Sequence, residues 1–423
     1  MLSPDDSSGG TTKMIVWFRK SACCLASLLF LTSSQVAFSQ TKEKPRLKNF
    51  GSSLDRLKWD SKQQAAVEKS SSKKSSRDDE DVVRVDTQLI ATDVLVLDGR
   101  GQPVKDLTRE DFIISEDGEP QEIGHFSLGT DQTVPKSIVL IIDYSGSEIP
   151  YIEKSTLAAK KLVDYLGPED RMAIVTDDVK LVVNFTSDRK KLKRALDDLL
   201  QLLHLGAQGK SQQFSALMAT TRELISNEDI RPIIIFQTDG DQIGFLQPPT
   251  RNGRALPSPG GVLPSLIQPF SLDDIVLALD KARATVYTVI PNVRLIGVSE
   301  EELPQQTKEL MKKAGRVFGF SANFSKKDLL RYAHENYLPS QRAAAKVATA
   351  TGGWTAFLEL PEQADEIYSR IMLDVDNRYI LGYYYSSDRP RDGKRHSLSV
   401  TVKNHPEYQI AGRKSFIAPL VNP

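Results

Sequence analysis

Residues 137–147 read SIVLIIDYSGS. Residues 138–142 are continuously apolar and rich in β-branched side chains. That composition suits a strand covered on both faces, as in a parallel sheet packed between helices. The run then breaks into Asp143, Tyr144, Ser145, Gly146 and Ser147, one carboxylate and two hydroxyls at alternate positions. Loops leaving the carboxyl ends of parallel strands are where open α/β sheets bind ligands. One acid and two neutral oxygens make a hard, weakly neutralised donor set, suited to Mg²⁺, Mn²⁺ or Ca²⁺ and unsuited to zinc. The same five residues also read as a serine-rich turn capping the next helix, because Ser and Asp are preferred N-caps.

Outward from this stretch, residues 135–378 alternate strand and helix. Ile152, Thr156, Ala159, Val163 and Leu166 mark one helical face. Residues 171–175 and 181–185 read as strands. Leu192, Ala195, Leu196, Leu199, Leu200 and Leu203 mark a second helix, with Ser187 or Asp188 as its cap. Phe214, Leu217, Met218, Thr221, Leu224 and Ile225 mark a third. Strands are expected at 232–237 and 286–290, and helices at 275–284 and near 342–350, the latter stopped by Gly352 and Gly353. Ala364, Ile367, Tyr368, Ile371, Met372 and Val375 give a last amphipathic helix. The pattern is a doubly wound, Rossmann-like α/β domain.

The flanks have a period of two. In 82–134, Val83, Val85, Thr87 and Leu89 alternate, and residues 112–116 and 121–123 flank Asp117-Gly118-Glu119-Pro120, a hairpin signal. Residues 379–423 supply a matching set at 379–385, 396–402 and 408–416. Some fifty residues of strand make a poor core alone, so the economical expectation is one small all-β sandwich built from both ends, with the α/β domain inserted. Two independent β appendages are the alternative.

Residues 1–39 read as a secretory signal: Lys13, Arg19 and Lys20 precede an apolar core at 22–31, and Ala37-Phe38-Ser39 offers small residues for cleavage before Gln40. Met14 is a second candidate start. An uncleaved anchor is the competing reading, although the apolar run is short for a bilayer. Both cysteines, Cys23 and Cys24, fall in this segment, so the processed chain would hold no disulfide. Residues 40–81 are polar, with a Ser/Lys block followed by an acidic block, and are expected to be a disordered linker. Lys plus Arg balance Asp plus Glu at 55 each, which gives no case for nucleic acid.

The D-x-S-x-S at Asp143, Ser145 and Ser147 resembles the metal-ion-dependent adhesion site of von Willebrand factor type A domains. That resemblance implies two further ligands downstream. Gly209-Lys210-Ser211, followed by Ala216-Leu217, stands where the family has G-G-T and A-L, with Ser211 in place of Thr. Thr238-Asp239-Gly240 matches the family's T-D-G. The D-x-x-G-x-P-V, L-x-x-x-D-F and E-D-G elements within 94–121, together with 379–384 and 392–396, resemble secreted bacterial von Willebrand A-related proteins. The likeness covers nearly all of 83–417.

The resemblance implies a metal site of Asp143, Ser145, Ser147, Ser211 and Asp239, holding Mg²⁺, Mn²⁺ or Ca²⁺ and leaving a position for an acidic side chain of a protein partner. The expected function is metal-dependent protein binding or adhesion by an exported protein, periplasmic, envelope-bound or secreted. A structural envelope scaffold with a weak metal site is the alternative. Gly206–Ser211 imitates a phosphate-binding loop, but His204 stands where its first Gly belongs and the loop leaves a helix, so no nucleotide is expected. With no GxSxG elbow and no DxD motif, an enzyme is not expected and a Mg²⁺-dependent phosphoester hydrolase ranks third. The insertions 241–270 and 292–338 are expected to rim the site and to set partner specificity, the second through Phe318, Phe320, Phe324, Tyr332 and Tyr337.

Overall fold

The structure, a computed structural model, describes residues 49–60, 62, 65–68, 89–130, 134–226, 231–242, 269–318, 324–385 and 391–418. The signal segment 1–39 lies outside them, as does most of the insertion 241–270.

In chain order, β1 (Leu57–Asp60) and β2 (Ala65–Glu68) form a short hairpin. Four strands follow: β3 (Leu89–Leu97), β4 (Phe112–Glu116), β5 (Glu119–Gln121) and β6 (His125–Leu128). The α/β domain then runs β7 (Lys136–Ile142), α1 (Ile149–Asp164), β8 (Arg171–Thr176), β9 (Lys180–Thr186), α2 (Arg189–His204), α3 (Gln213–Ala219), β10 (Arg231–Gln237), α4 (Leu272–Ala282) and β11 (Thr285–Ile290). It continues through α5 (Leu303–Phe318), α6 (Lys326–Tyr332), α7 (Leu338–Ala350), β12 (Thr355–Phe357) and α8 (Ala364–Asp376). The chain closes with β13 (Tyr379–Tyr384), β14 (Arg395–Val402), β15 (Gln409–Gly412) and β16 (Ser415–Ile417).

The six-stranded sheet has the order β12-β11-β10-β7-β8-β9, parallel except for β9 at the edge. β7 and β10 are its central strands, and in both nearly every residue is buried, which is why their sequences run apolar rather than alternating. One face packs on α1, α2 and α8 through Ile138, Leu140, Ile152, Leu162, Leu196 and Ile371. The other packs on α3, α4 and α7 through Val139, Ile141, Phe214, Phe236, Leu279 and Val347. Asp188 caps α2 by accepting from the Lys191 N–H at 3.0 Å.

Strands from the two ends of the chain interleave in both remaining sheets, β15-β3-β13-β6 and β16-β14-β4-β5. Their shared core holds Ile90, Val94, Ile114, Leu381, Leu398 and an aromatic group with Phe112 5.0 Å from Tyr379 and Tyr385 6.0 Å from Phe416. Residues 408–416, read as one strand, are two: β15 joins one sheet and β16 the other, with Arg413 and Lys414 making the crossing. The hairpin turn is also tighter than expected. Asp117 and Gly118 alone form it, both at positive φ, and Pro120 sits in the edge strand β5, where no neighbour needs its missing N–H.

Three arginines stitch the β sheets to the α/β domain. Arg378, fully buried, donates to Asp374 Oδ1 at 2.9 Å and Gly352 O at 2.7 Å. Arg413 donates to Asp280 Oδ1 at 2.9 Å and Ala284 O at 2.7 Å, and Arg231 reaches Gly129 O at 3.2 Å. Asp93 of β3 accepts from Thr285 at 3.0 Å and lies among these arginines. Burial pushes its carboxyl up, but Arg378, Arg231 and Arg413 together outweigh that and hold it below the usual range.

The expected linker 40–81 needs correcting. Leu57 is buried, and Phe50, Leu54 and Ala66 pack beside it on the α3–α4 face. Glu223 accepts the N–H groups of Gly51 and Ser53 at 2.9 and 2.8 Å, and Asp274 accepts that of Ala66 at 3.0 Å. Its few apolar residues are too sparse to form a core, but they complete one that already exists. The insertion 292–338 likewise folds into α5, α6 and a small core of its own, with Leu295, Leu303, Leu310, Ala333 and Leu338.

Candidate metal centre

Two strand ends bring the acids together. β7 and β10 pair in parallel with Ile142 opposite Gln237, so Asp143 and Thr238 leave the sheet side by side. The Asp143 N–H donates to Gln237 O at 3.1 Å. Asp239 and Asp241 follow on the β10 side, and one carboxylate oxygen from each of Asp143, Asp239 and Asp241 lies within 4.8 Å of the others. Asp143 is fully buried, Asp239 half-buried and Asp241 exposed, so the cluster opens from the sheet edge to solvent. Gly240 makes the bend between the last two: its φ is +76°, and a Cβ there would stand 2.6 Å from Ser340 O.

The serine turn closes on this cluster. Ser145 N–H donates to Asp143 Oδ1 at 2.9 Å, the Ser145 and Ser147 hydroxyls are 3.2 Å apart, and Ser147 bonds Asp239. Ser145 is not the side-chain cap of the following helical turn, so the competing reading of these serines as a cap does not describe this loop. Gln213, the first residue of α3, donates from one amide nitrogen to Asp143 Oδ2 at 2.6 Å and Asp241 Oδ1 at 2.8 Å. Thr238 donates to Asp143 Oδ2 at 3.3 Å.

Ser211 stands differently from the other four expected ligands. Its hydroxyl makes no hydrogen bond to Asp143, Ser145, Ser147 or Asp239. Instead its N–H donates to Asp177 Oδ2 at 2.8 Å, as does that of Lys210 at 2.7 Å, while Tyr144 N–H reaches Asp177 Oδ1 at 3.2 Å. Asp177, at the end of β8, thus ties the Ser211 loop to the Asp143 loop. Gly209 lets the backbone come that close, because a Cβ there would lie 2.0 Å from the Asp177 carboxylate. Ser211 has φ +49°, a left-handed conformation that β-branched residues resist. That geometry accounts for Ser where Thr was expected.

The sequence reading missed Asp177, Gln213 and Asp241. Asp241 had a signal, two residues beyond Asp239, and so had Asp177, which ends β8 as Asp143 ends β7. Gln213 had none. The charges that dominate the site are carboxylates. Burial first, then Asp177 and Asp241, push Asp143 up to about 7. Burial pushes Asp177 up to about 6 against the N–H groups of Tyr144 and Ser211. Burial, Asp241 and Asp143 hold Asp239 well above the ordinary range. Carboxylates, hydroxyls and an amide, with no thiol or imidazole among the described groups, make a donor set suited to a hard cation. Gln213 Oε1 is buried without a partner among the described residues. Tyr337 of the helical insertion lies near enough that burial, then Asp239 and Asp241, raise its hydroxyl to about 12. Phe324 and Tyr332 stack edge-on at 5.5 Å, and Phe320 is outside the described residues.

Residues 138–242 match the family model of the von Willebrand factor type A domain. No curated protein matches the chain. Among solved structures, an aerotolerance-related membrane protein from Bacteroides fragilis is 15% identical, with 57% of this chain and 98% of that one covered at a TM-score of 0.33. The vWF domain of the type V pili tip protein Mfa5 from Porphyromonas gingivalis is 12% identical, covering 57% and 96% at 0.30. The PilB minor pilin from Streptococcus sanguinis is 12% identical, covering 58% and 62% at 0.32.

Proposed function

We propose that the segment 138–242, which matches the von Willebrand factor type A domain model, binds another protein through a divalent cation, Mg²⁺, Mn²⁺ or Ca²⁺. Asp143, Ser145, Ser147 and Asp239 are its ligands, with Asp241 beside them and Ser211 brought up by the Asp177 tether. The observation that carries this reading is the convergence of Asp143, Asp239 and Asp241 within 4.8 Å at the carboxyl ends of the two central strands. The partner is a protein offering an acidic side chain to the ion. The helical insertion supplies a rim through Tyr337; residues 243–268, expected to rim the site as well, lie outside the described residues.

We place the protein outside the cytoplasm, periplasmic, envelope-bound or secreted, on the strength of the signal read at 1–39. Among the described residues no helix is long and apolar enough to cross a membrane. The domain is read as a binding module rather than an enzyme. Calorimetry with Mg²⁺ and Mn²⁺ tests the site: binding is expected in the wild-type chain and none after Asp143→Ala. Retained binding in that variant would overturn the assignment. Capture of an envelope protein with Mg²⁺, lost with EDTA and lost in the variant, tests the partner. Capture indifferent to both would favour a structural scaffold.

A further inference from the structure

The docked segment beginning at Asn49 does more than complete the core of the α3–α4 face. It walls a cavity of about 310 Å³, with Leu57 on its side and Met218, Ile225 and Leu277 on the helical side. That volume lies at the lower end of the range for small-molecule sites. None of the lining residues belongs to the cation cluster. Leu57, Met218 and Ile225 are buried core residues, so part of the lining is apolar. One wall also contains a π turn, Thr220–Leu224, at the end of α3. Such turns are rare and recur at functional sites. The charged lining is Arg56, Arg222 and Lys281 against Glu68 and Asp274. Arg222 pairs with Glu68. Asp274 accepts from the Ser271 N–H and hydroxyl, both at 2.7 Å, and from the Ala66 N–H at 3.0 Å. Glu223, the acid next to Arg222, is taken up by the N–H groups of Gly51 and Ser53. The exposed side chains of Arg56 and Lys281 have no ion pair among the described residues.

We propose that this cavity binds a small organic monoanion, an apolar body ending in a carboxylate, with the body against Leu57, Met218, Ile225 and Leu277 and the carboxylate met by Arg56 and Lys281. Pockets of this kind take most of their contact from apolar walls and their orientation from a few polar groups. Here three cations against two acids leave one positive charge, which matches a carboxylate and would leave a phosphate dianion half neutralised. Arginine offers that carboxylate a planar fork and lysine a point charge. Arg56 also lies near enough to Arg222 that, after burial, it is the main influence disfavouring the Arg222 charge, and an anion between them relieves that repulsion. The site stands apart from the cation centre and does not depend on that reading.

The test uses the full chain in EDTA with octanoate as probe, followed by calorimetry, and with octanol and octyl phosphate as comparisons. Octanoate is expected to bind saturably at one site, and more tightly than either comparison. The variants are Arg56→Gln and Lys281→Gln, both exposed positions, each checked by circular dichroism and thermal midpoint. Each should weaken octanoate about tenfold, the loss of one hydrogen bond to a charged group, and should leave octanol unchanged. No saturable octanoate binding by the wild-type chain would overturn the proposal. So would octanoate binding that both folded variants retain at full strength, since the anion would then sit elsewhere. Octanol bound as tightly as octanoate would reduce the cavity to an apolar cleft, and octyl phosphate bound more tightly would overturn the carboxylate as its ligand. Should one variant fail to fold, the other decides. Mn²⁺ affinity, measured in the same variants without EDTA, is expected to equal that of wild type, so the outcome here is separate from that of the cation site.

Discussion

The protein buries two groups of acids, and they are built on opposite plans. At the seam between the β sheets and the α/β domain, Asp93, Asp280 and Asp374 are matched by Arg231, Arg378 and Arg413. At the carboxyl edge of the central sheet, Asp143, Asp177 and Asp239 lie together, and among the described residues no arginine or lysine side chain is paired with them. The outcome differs accordingly, with Asp93 held low and the edge acids pushed high. Burial alone is common to both. What separates a structural acid from one kept for a ligand is whether the fold supplies the countercharge.

The largest expected effect breaks the balanced side. Arg378→Ala strands Asp374 and Asp93, and breaking a buried pair in this way costs about 3–5 kcal/mol. Urea denaturation measures it, with or without Mg²⁺. A loss within experimental scatter would mean that solvent reaches the seam and that the arginines are dispensable.

On the unbalanced side, removing a charge should have the opposite sign. Asp143→Asn is expected to leave the cation-free chain as stable as wild type or more so, since it removes repulsion. It should also erase the stabilisation by cation, which for wild type amounts to about 2.7 kcal/mol at a hundredfold excess over Kd. Differential scanning fluorimetry with EDTA and with Mn²⁺ reads both halves. A large loss of stability in EDTA would place Asp143 with the structural acids.

Much of this contrast was legible before the structure, though not evenly. The apolar run ending at Asp143 and the run ending at Asp239 declared the two central strands, because strands buried on both faces have nowhere to put polar residues. Helix periodicity fixed the layers. The countercharges were invisible: Arg378 and Asp93 are 285 residues apart in sequence and meet only because β13 pairs with β3. Gln213 gave no sign either, since an amide opening a helix looks like any polar residue. The docked segment beginning at Asn49 reads as a linker in sequence because Phe50, Leu54, Leu57 and Ala66 only add to a core made elsewhere.

A smaller effect sharpens the account of Ser211. Its φ of +49° predicts that Ser211→Thr costs a further ~1 kcal/mol, because a β-branched residue is strained there, while Ser211→Gly is neutral or slightly stabilising. If Thr is tolerated without loss, the departure from the family pattern needs another cause.

The smallest concerns a mixed cluster at the sandwich edge, which behaves like the seam in miniature. His396 contacts Asp117 Oδ2 at 2.7 Å and Asp392 Oδ1 at 3.3 Å, with Glu116 3.9 Å away and the Phe416 ring beside it. Burial pulls the imidazole down, but the Asp117 and Asp392 carboxylates outweigh it and hold its pKa above the ordinary value. A group raised in the folded state contributes fully below its unfolded pKa, near 6.5, and loses that contribution as pH rises through the folded value. Wild type should therefore shed a little stability as pH rises through neutrality, and His396→Phe should flatten that slope. Identical slopes in thermal melts would remove His396 from the account.

The interleaving of strands from both ends has a mechanical consequence. β6 leads into the α/β domain and β13 leads out of it, and the two are hydrogen-bonded neighbours, Gly382 opposite His125 and Tyr379 opposite Leu128. The whole α/β domain is thus a loop thrown out from one pair of adjacent strands. Tension applied across the sandwich, between β3 and β14, is carried by the ladders of β13 with β3 and of β14 with β4. The acids sit at the edge of a different sheet, so such a pull would load the sandwich ladders before it could distort the site.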